Sequence, residues 1–301
     1  MIRLDRVGLT TVEDAGRPGF AHLGVPVSGA TDRGAYQLAN RLAGNSPGAA
    51  VLETSGGLVA TALSDVTIVL TGADCEASRD GRPLPRCRAT TLKQGETLRV
   101  DRIRNGARAY LCVAGGIIGS ESNASAESLL GSLSHDTLSG LVPVLLHDGI
   151  VLRIGTPITT PSSLDLAIDY DLSQPLKMTD GPHRELFSTE TIHRLVSTPW
   201  SVSPTSNRVG IRLIASQHAP VVAGHEIPPA TQGNSTSLGE LQSFPLVRGA
   251  VQVTSSKELV VMLADHPTTG GYPVISVVSA LDVDRLSQAT LGTNVTCAWV
   301  D

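Results

Sequence analysis

The chain has 301 residues, 41% hydrophobic and 17% charged, with a formal net charge of −5, which is material for real cores and argues against a disordered chain. No Lys/Arg cluster marks a surface for a nucleic-acid backbone, no apolar run reaches the length of a bilayer span, and MIRLDRVGLTTVEDAG lacks the apolar stretch of a signal peptide. The expectation is a soluble, cytoplasmic protein, and at roughly 150 residues per domain the length suggests two domains.

The 30 Gly and 18 Pro, set against only 3% aromatic residues, point to many turns between short strands. Residues 66–70 (VTIVL) read as a buried strand, and Asp80-Gly81 as a hairpin turn. Further strands are expected at 96–100, 108–113 and 150–154. One helix interrupts them: Ala35, Leu38, Ala39 and Leu42 follow the i, i+3, i+4, i+7 spacing, Thr31 or Asp32 can cap its start, and Gly44-Asn45 can end it. This gives a β-rich domain over 1–155 with one helix near 33–43.

Residues 156–175 are rich in Pro, Ser, Thr and Asp and read as a connector. A second β-rich domain over 176–301 carries a modest helix at 189–197 and a short one at 282–289, with Asp282 near its N-cap. Its strands are expected at 250–254, 258–264, 274–279 and 295–300. Cys75, Cys87, Cys112 and Cys297 are far apart with no C-x-x-C pair, which suits reduced core fillers better than a metal or disulfide site.

Generic motifs are few. There is no G-x-x-x-x-G-K-[ST] loop and no H-E-x-x-H, and residues 233–237 (GNSTS) miss the nucleophile-elbow pattern at the last position. Leu176-Lys177-Met178 lacks the flanks of a biotin-acceptor lysine. No bound metal and no covalent biotin are expected.

The densest segment is 13–53. Gly16, Gly19, Gly24 and Gly29 divide it into tight turns, and between them sit Asp14, Arg17, Ser28 and Asp32. Such groups can orient a small anionic or amide substrate, and Arg17 can grip a carboxylate or phosphate through two parallel hydrogen bonds. The alternative is a loop-and-cap network, with Asp14 satisfying turn amides and Asp32 capping the helix.

This segment reads D-x-G-R-x-G, then G-V-P-x-S-G-A-x-D, then A-N-x-L-x-G-N, then A-x-L-E. In that order and spacing it resembles the opening signature of the 5-oxoprolinase C-subunit family, also known as allophanate hydrolase subunit 2 or biotin-dependent carboxyltransferase-like proteins. The likeness continues through YLCVAGGI (110–117), LGSLSHDTLSGL (130–141), GPHRELF (181–187), SNRVGIRL (206–213), RGAVQVT (248–254) and LADHPTTGGYP (263–273). Three stretches depart from the family: Leu133-Ser134-His135 replaces an Arg-Ser-Thr-like run, Val253 to Glu258 (VTSSKE) replaces V-P-x-G-x-P, and 121–128 is a rebuilt loop.

The resemblance implies a mostly β fold of two β-rich domains, the C-terminal one a cyclophilin-like β-barrel. It implies work in complex with the B and A subunits of 5-oxoprolinase, and ATP-dependent opening of the lactam 5-oxoproline to L-glutamate, with ATP bound by or shared with a partner. Such chemistry needs cationic groups around a phosphoryl and a carboxylate, and a base or orienting acceptor. Arg17, Arg208 and Arg212 are candidates for the first role, and Asp265 and Glu53 for the second. Gln252, Ser28, Tyr272, Ser243, Thr268 and Thr269 are neutral hydrogen-bonding groups. In a strand, Arg208 and Arg212 would share a face, where surface ion pairs are the alternative. An Asx-turn is the alternative for Asp265, and Gly270-Gly271 imply close backbone approach to a ligand or a neighbouring strand. Two other functions stay open: a carboxyltransferase component of a biotin-dependent urea or amide carboxylase, and a non-catalytic partner in a kinase-inhibitor complex.

Overall fold

The apolar run YLCV at 110–113 lies in a strand that is buried on both faces, and this organises the first half of the protein. The computed structural model describes residues 1–121, 128–162, 164, 171–215, 241–256 and 258–300. It divides into two units, Met1–Gly19 with Val27–Tyr170, and Phe20–Pro26 with Asp171–Asp301. The 233–237 motif, most of the rebuilt 121–128 loop, Lys257 and part of the 156–175 connector lie outside the described residues.

The first unit contains β1 (Ile2–Arg6), β2 (Thr10–Glu13), α1 (Arg33–Ala43), β3 (Val51–Thr54), β4 (Leu58–Ala62), β5 (Val66–Arg79), β6 (Arg82–Pro83), β7 (Thr90–Leu92), β8 (Thr97–Val113), β9 (Ile117–Ser120) and β10 (Val151–Ile154). They form one sheet in the order β2-β3-β8-β4-β1-β10-β9, with β5 pairing β6, β7 and β8. Ala109, Leu111 and Val113 join Ile2, Leu52, Ile68 and Leu98 in one core, while Tyr110 and Cys112 face the other way with Val51 and Val69. That second face packs against the apolar stripe of α1, namely Ala35, Tyr36, Ala39 and Leu42. The two strands expected at 96–100 and 108–113 are the ends of the single strand β8. The polar stretch between them continues because β5 accompanies it, with register shifts between Gly72 and Ala77.

Asp32 caps α1, its Oδ1 accepting Ala35 N–H at 2.9 Å. The helix ends at Gly44, whose φ of +71° no side-chain-bearing residue adopts easily. Asn40 and Asn45 then fasten the helix to the sheet: Asn40 Nδ2 donates to Ala49 O (2.9 Å), and Asn45 Nδ2 donates to Val113 O (2.9 Å).

The second unit contains β11 (Leu176–Asp180), α2 (Thr189–Ser197), β12 (Trp200–Val202), β13 (Gly210–Ala215), β14 (Phe244–Pro245), β15 (Ala250–Val253), β16 (Leu259–Met262), β17 (Thr269–Gly270), β18 (Val274–Val278), α3 (Ala280–Ser287), β19 (Asn294–Val295) and β20 (Cys297–Trp299). Eight of these strands run in the order β19-β12-β13-β16-β15-β18-β11-β20, and β14 pairs β17 separately. The two edge strands, β19 and β20, are separated in sequence by Thr296 alone. The sheet therefore curls until its edges nearly meet, a barrel-like form around Met178, Trp200, Ile211, Val261 and Ile275. The single strand expected at 295–300 divides there because each half pairs with a different neighbour. Ser279, three residues before Asp282, is the N-cap of α3: its Oγ accepts Asp282 N–H. The fold is mostly β throughout.

Candidate functional site

The predicted residues fall into two clusters, one in each unit. In the first, β2 and β3 pair with Glu13 opposite Val51 and Thr11 opposite Glu53, and β3 pairs β8 with Glu53 opposite Tyr110. These registers place Glu13, Glu53 and Tyr110 on the face covered by α1. Leaving β2, the chain folds back on itself. Arg17 N–H donates to Val27 O (2.8 Å) and Ala30 N–H to Asp14 O (3.0 Å), zipping 14–17 against 27–30. The approach is so close that a Cβ on Gly16 would lie 2.4 Å from Val27 O, and one on Gly29 would lie 2.8 Å from Gly16 N. Glycine is required by the contact as well as by the left-handed φ.

Asp14 is the hub of this loop pair. Its Oδ1 accepts from Gly16 N (2.7 Å), Ser132 Oγ (2.6 Å) and Ser134 Oγ (2.6 Å), and its Oδ2 accepts from Leu133 N (2.6 Å). Ser28, at φ +56°, donates from Oγ to His135 O (3.1 Å), so the 132–135 stretch is held from both sides. Arg17 is only 1% exposed. One Nη donates to Ser134 O, whereas its Nε and other Nη have no hydrogen-bond acceptor among the described residues.

Beside this loop pair lies a carboxylate knot. Glu53 accepts from Thr31 N (2.9 Å) and Thr31 Oγ1 (3.0 Å), and Arg108 Nε lies 3.3 Å from its Oε1. The Tyr110 hydroxyl accepts Asp32 N–H at 2.7 Å. Burial, then the charges of Glu53 and Asp32, push that phenol well above its ordinary range, so it stays protonated. Asp14, Arg17, Ser28, Asp32 and Glu53 are thus brought together, all buried.

In the second unit, Arg208 Nε and Nη2 hold Asp265 Oδ2 and Oδ1 at 2.9 and 3.1 Å. Both Asp265 oxygens are occupied by this fork, a structural geometry rather than that of a free base. Arg208 and Arg212 do not share a strand: Arg208 precedes β13, in a turn where Asn207 Oδ1 accepts Val209 N–H (2.9 Å). Arg212, inside β13, pairs at 3.2 Å with Glu258. Gln252 Nε2 donates to Tyr272 O (2.9 Å), and a Cβ on Gly270 would lie 2.7 Å from that Nε2. The close approach expected at Gly270-Gly271 is therefore made at Gly270 to a neighbouring side chain. Ser243, exposed, and Thr268 flank the β14–β17 ladder, in which Thr269 pairs opposite Pro245, and Leu246 N–H donates to Thr268 O (3.0 Å).

Sequence reasoning did not single out Glu13, Thr31, Arg108, Tyr110, Ser132 or Ser134 as site residues. Tyr110 and the two serines lie within YLCVAGGI and LGSLSHDTLSGL, two of the blocks that carry the family likeness. For Glu13 the available signal is an acidic residue ending the strand-like run TTVE. Among the described residues no group of three His, Cys, Asp or Glu side chains is placed to hold a metal ion, and no helix is long and apolar enough to cross a membrane.

Comparison with known proteins bears on both units. The family model described as carboxyltransferase domain, subdomain A and B, matches residues 23–299. Over 297 residues the chain is 33% identical to the C subunit of 5-oxoprolinase from Escherichia coli (strain K12), covering 97% of this chain and 89% of that protein. It is 28% identical over 312 residues to urea amidolyase of Saccharomyces cerevisiae, covering 95% of this chain but 16% of that protein. The solved structure of TTHA0988 matches with a TM-score of 0.80 at 30% identity, covering all of this chain and 55% of that one. The urea amidolyase of K. lactis has the same fold, with a TM-score of 0.81 at 24% identity, over 19% of its length. Matched along nearly all of its sequence, the chain belongs to the carboxyltransferase-domain family, subdomains A and B.

Proposed function

We propose that the chain is the C subunit of an ATP-dependent 5-oxoprolinase, opening 5-oxoproline to L-glutamate in a cytoplasmic complex with the A and B subunits. The observation that carries this reading is the 33% identity to the corresponding Escherichia coli protein along 89% of its length. The buried Arg17, whose Nε and Nη1 have no hydrogen-bond acceptor among the described residues, supports it by leaving guanidinium N–H groups for the substrate carboxylate. Arg17 is 1% exposed here, so on this reading assembly with the partner proteins admits the carboxylate. Asp14, Ser132 and Ser134 hold the loop that carries the guanidinium.

ATP supplies the activation that amide resonance otherwise withholds from attack by water. Gly16 and Gly29 of the opening segment pack backbone on backbone, and Gly16 N–H is taken by Asp14 Oδ1. The reading gives ATP to a partner or a shared surface. Tyr110, kept protonated, can act only as a hydrogen-bonding group near neutral pH.

The deciding experiment is glutamate release from 5-oxoproline by the three co-purified proteins, with and without ATP. ATP-dependent glutamate that disappears when this chain is omitted is the expected result; none from an assembled complex would overturn the reading. The urea amidolyase relatives and the family model favour a second one, a carboxyltransferase component served by a biotin carrier on another protein. Retention of a biotinylated carrier by the complex, with carboxyl transfer to urea or another amide, would distinguish it.

A further inference from the structure

We propose that a pocket on the first unit, formed by the β5–β6 hairpin and the chain leading into β7, binds a phosphate-class oxyanion. The proposal does not depend on the 5-oxoprolinase reading, because none of its residues belongs to the clusters described above. The pocket has a volume of about 250 Å³ and is lined by Arg79, Arg82 and Arg88, together with Pro83, Pro85 and Thr90. At ~30 Å³ per water molecule this is room for a phosphate and several waters, or a phosphate on a small carrier.

The charge arrangement asks for a counter-ion. Asp80 and Gly81, at φ +44° and +74°, make the two-residue turn, which sets Arg79 and Arg82 directly opposite each other. Like charges facing across a hairpin destabilise it. Compensation within the chain is partial. Arg79 donates from Nη1 to Thr91 O (2.6 Å), and its Nε is 3.8 Å from Glu96. The carboxylate at the turn itself is spent elsewhere, since Asp80 Oδ1 accepts Thr97 N–H (2.8 Å). Arg82 is exposed and makes no side-chain hydrogen bond or ion pair among the described residues. Arg88, also exposed and with an interaction of its own, adds a third guanidinium to the lining of the same pocket.

Guanidinium forks match the oxygens of a tetrahedral oxyanion two at a time. Pro83 and Pro85 fix the backbone between Arg82 and Arg88, so less freedom is lost when they close on a ligand. A phosphate there would turn a repulsive hairpin into a neutralised one.

The test uses the purified full chain, with inorganic phosphate as probe followed by calorimetry, and with pyrophosphate and ADP as further arms. Saturable binding is expected, weakened at least tenfold by Arg82→Ala, lost in Arg82→Ala/Arg88→Ala, and unchanged by Arg102→Ala, an exposed arginine on β8 outside the pocket. Tighter binding of ADP than of phosphate would identify a nucleotide as the source; equal or weaker binding would identify a free oxyanion; both support the site. Melting supplies a second readout. In phosphate-free buffer Arg82→Ala should melt at or above the wild type, and in phosphate below it. The proposal is overturned by an absence of saturable binding to all three probes, by equal weakening in Arg102→Ala, or by a lower melting point of Arg82→Ala in both buffers.

Discussion

Arg208 and Asp265 form a two-pronged ion pair, Nε to Oδ2 at 2.9 Å and Nη2 to Oδ1 at 3.1 Å, with Asp265 wholly enclosed. Removing one partner takes the fork away from a charge that stays buried. Asp265→Ala and Arg208→Ala should each lower stability by about 3–5 kcal/mol. Replacing both with apolar residues of similar volume should cost far less than the sum. Urea denaturation of the four proteins measures the coupling, and additive losses would contradict it.

Asp14 is an acceptor for four donors, and an amide in its place presents N–H groups to some of them. Asp14→Asn should therefore destabilise the first unit by about 2–4 kcal/mol, although it changes no volume. A loss below about 1 kcal/mol, read from urea midpoints, would show that the Ser132–Ser134 stretch does not depend on this carboxylate.

Arg17→Lys keeps the charge and loses the fork. In the assembled complex it should lower kcat/KM for 5-oxoproline at least a hundredfold, roughly 2.7 kcal/mol, with Arg17→Ala no better. Size-exclusion elution of the complex should not change. Full activity in Arg17→Lys would remove carboxylate binding from Arg17.

Thiol burial gives the protein an alkaline weakness. Burial pushes Cys112 and Cys297 from 9.0 up to about 12, Asn45 partly opposing it at Cys112, and burial followed by the Asp74 charge takes Cys75 to about 11. Unfolded thiols lose their protons near 9.0 while folded ones keep them, so the native state binds more protons and stability falls as pH rises through that window. The slope should approach about 1.4 kcal/mol per pH unit for each thiol. Urea midpoints at pH ~8 and ~10 should show the fall, and Cys297→Ala should reduce it; a flat profile would refute the assignment.

Much of the fold was legible because its signals are local. The spacing of Ala35, Leu38, Ala39 and Leu42, the Asp32 cap and the left-handed Gly44 specify α1 within a dozen residues. The hydrogen bonds that assemble the first cluster are different in kind. Asp14 meets Ser132 and Ser134 across 118 and 120 residues, and no periodicity encodes such a meeting. Only the family likeness pointed to both segments. The Arg208–Arg212 expectation failed locally: Asn207 bends the chain before β13 begins, so four-residue spacing did not mean a shared face.

The near-joining of β19 and β20 across Thr296 also sets an order of events during synthesis. The short stretch 294–299 supplies the outermost strand on both sides of the eight-stranded sheet, so β12 and β11 each keep an unpaired edge until it has been made. A ribosome-bound chain halted before Asn294 would carry two open edges at once, each able to template pairing with another chain. Until that stretch is made the second unit is therefore open to edge-to-edge pairing, although most of its core residues are already present.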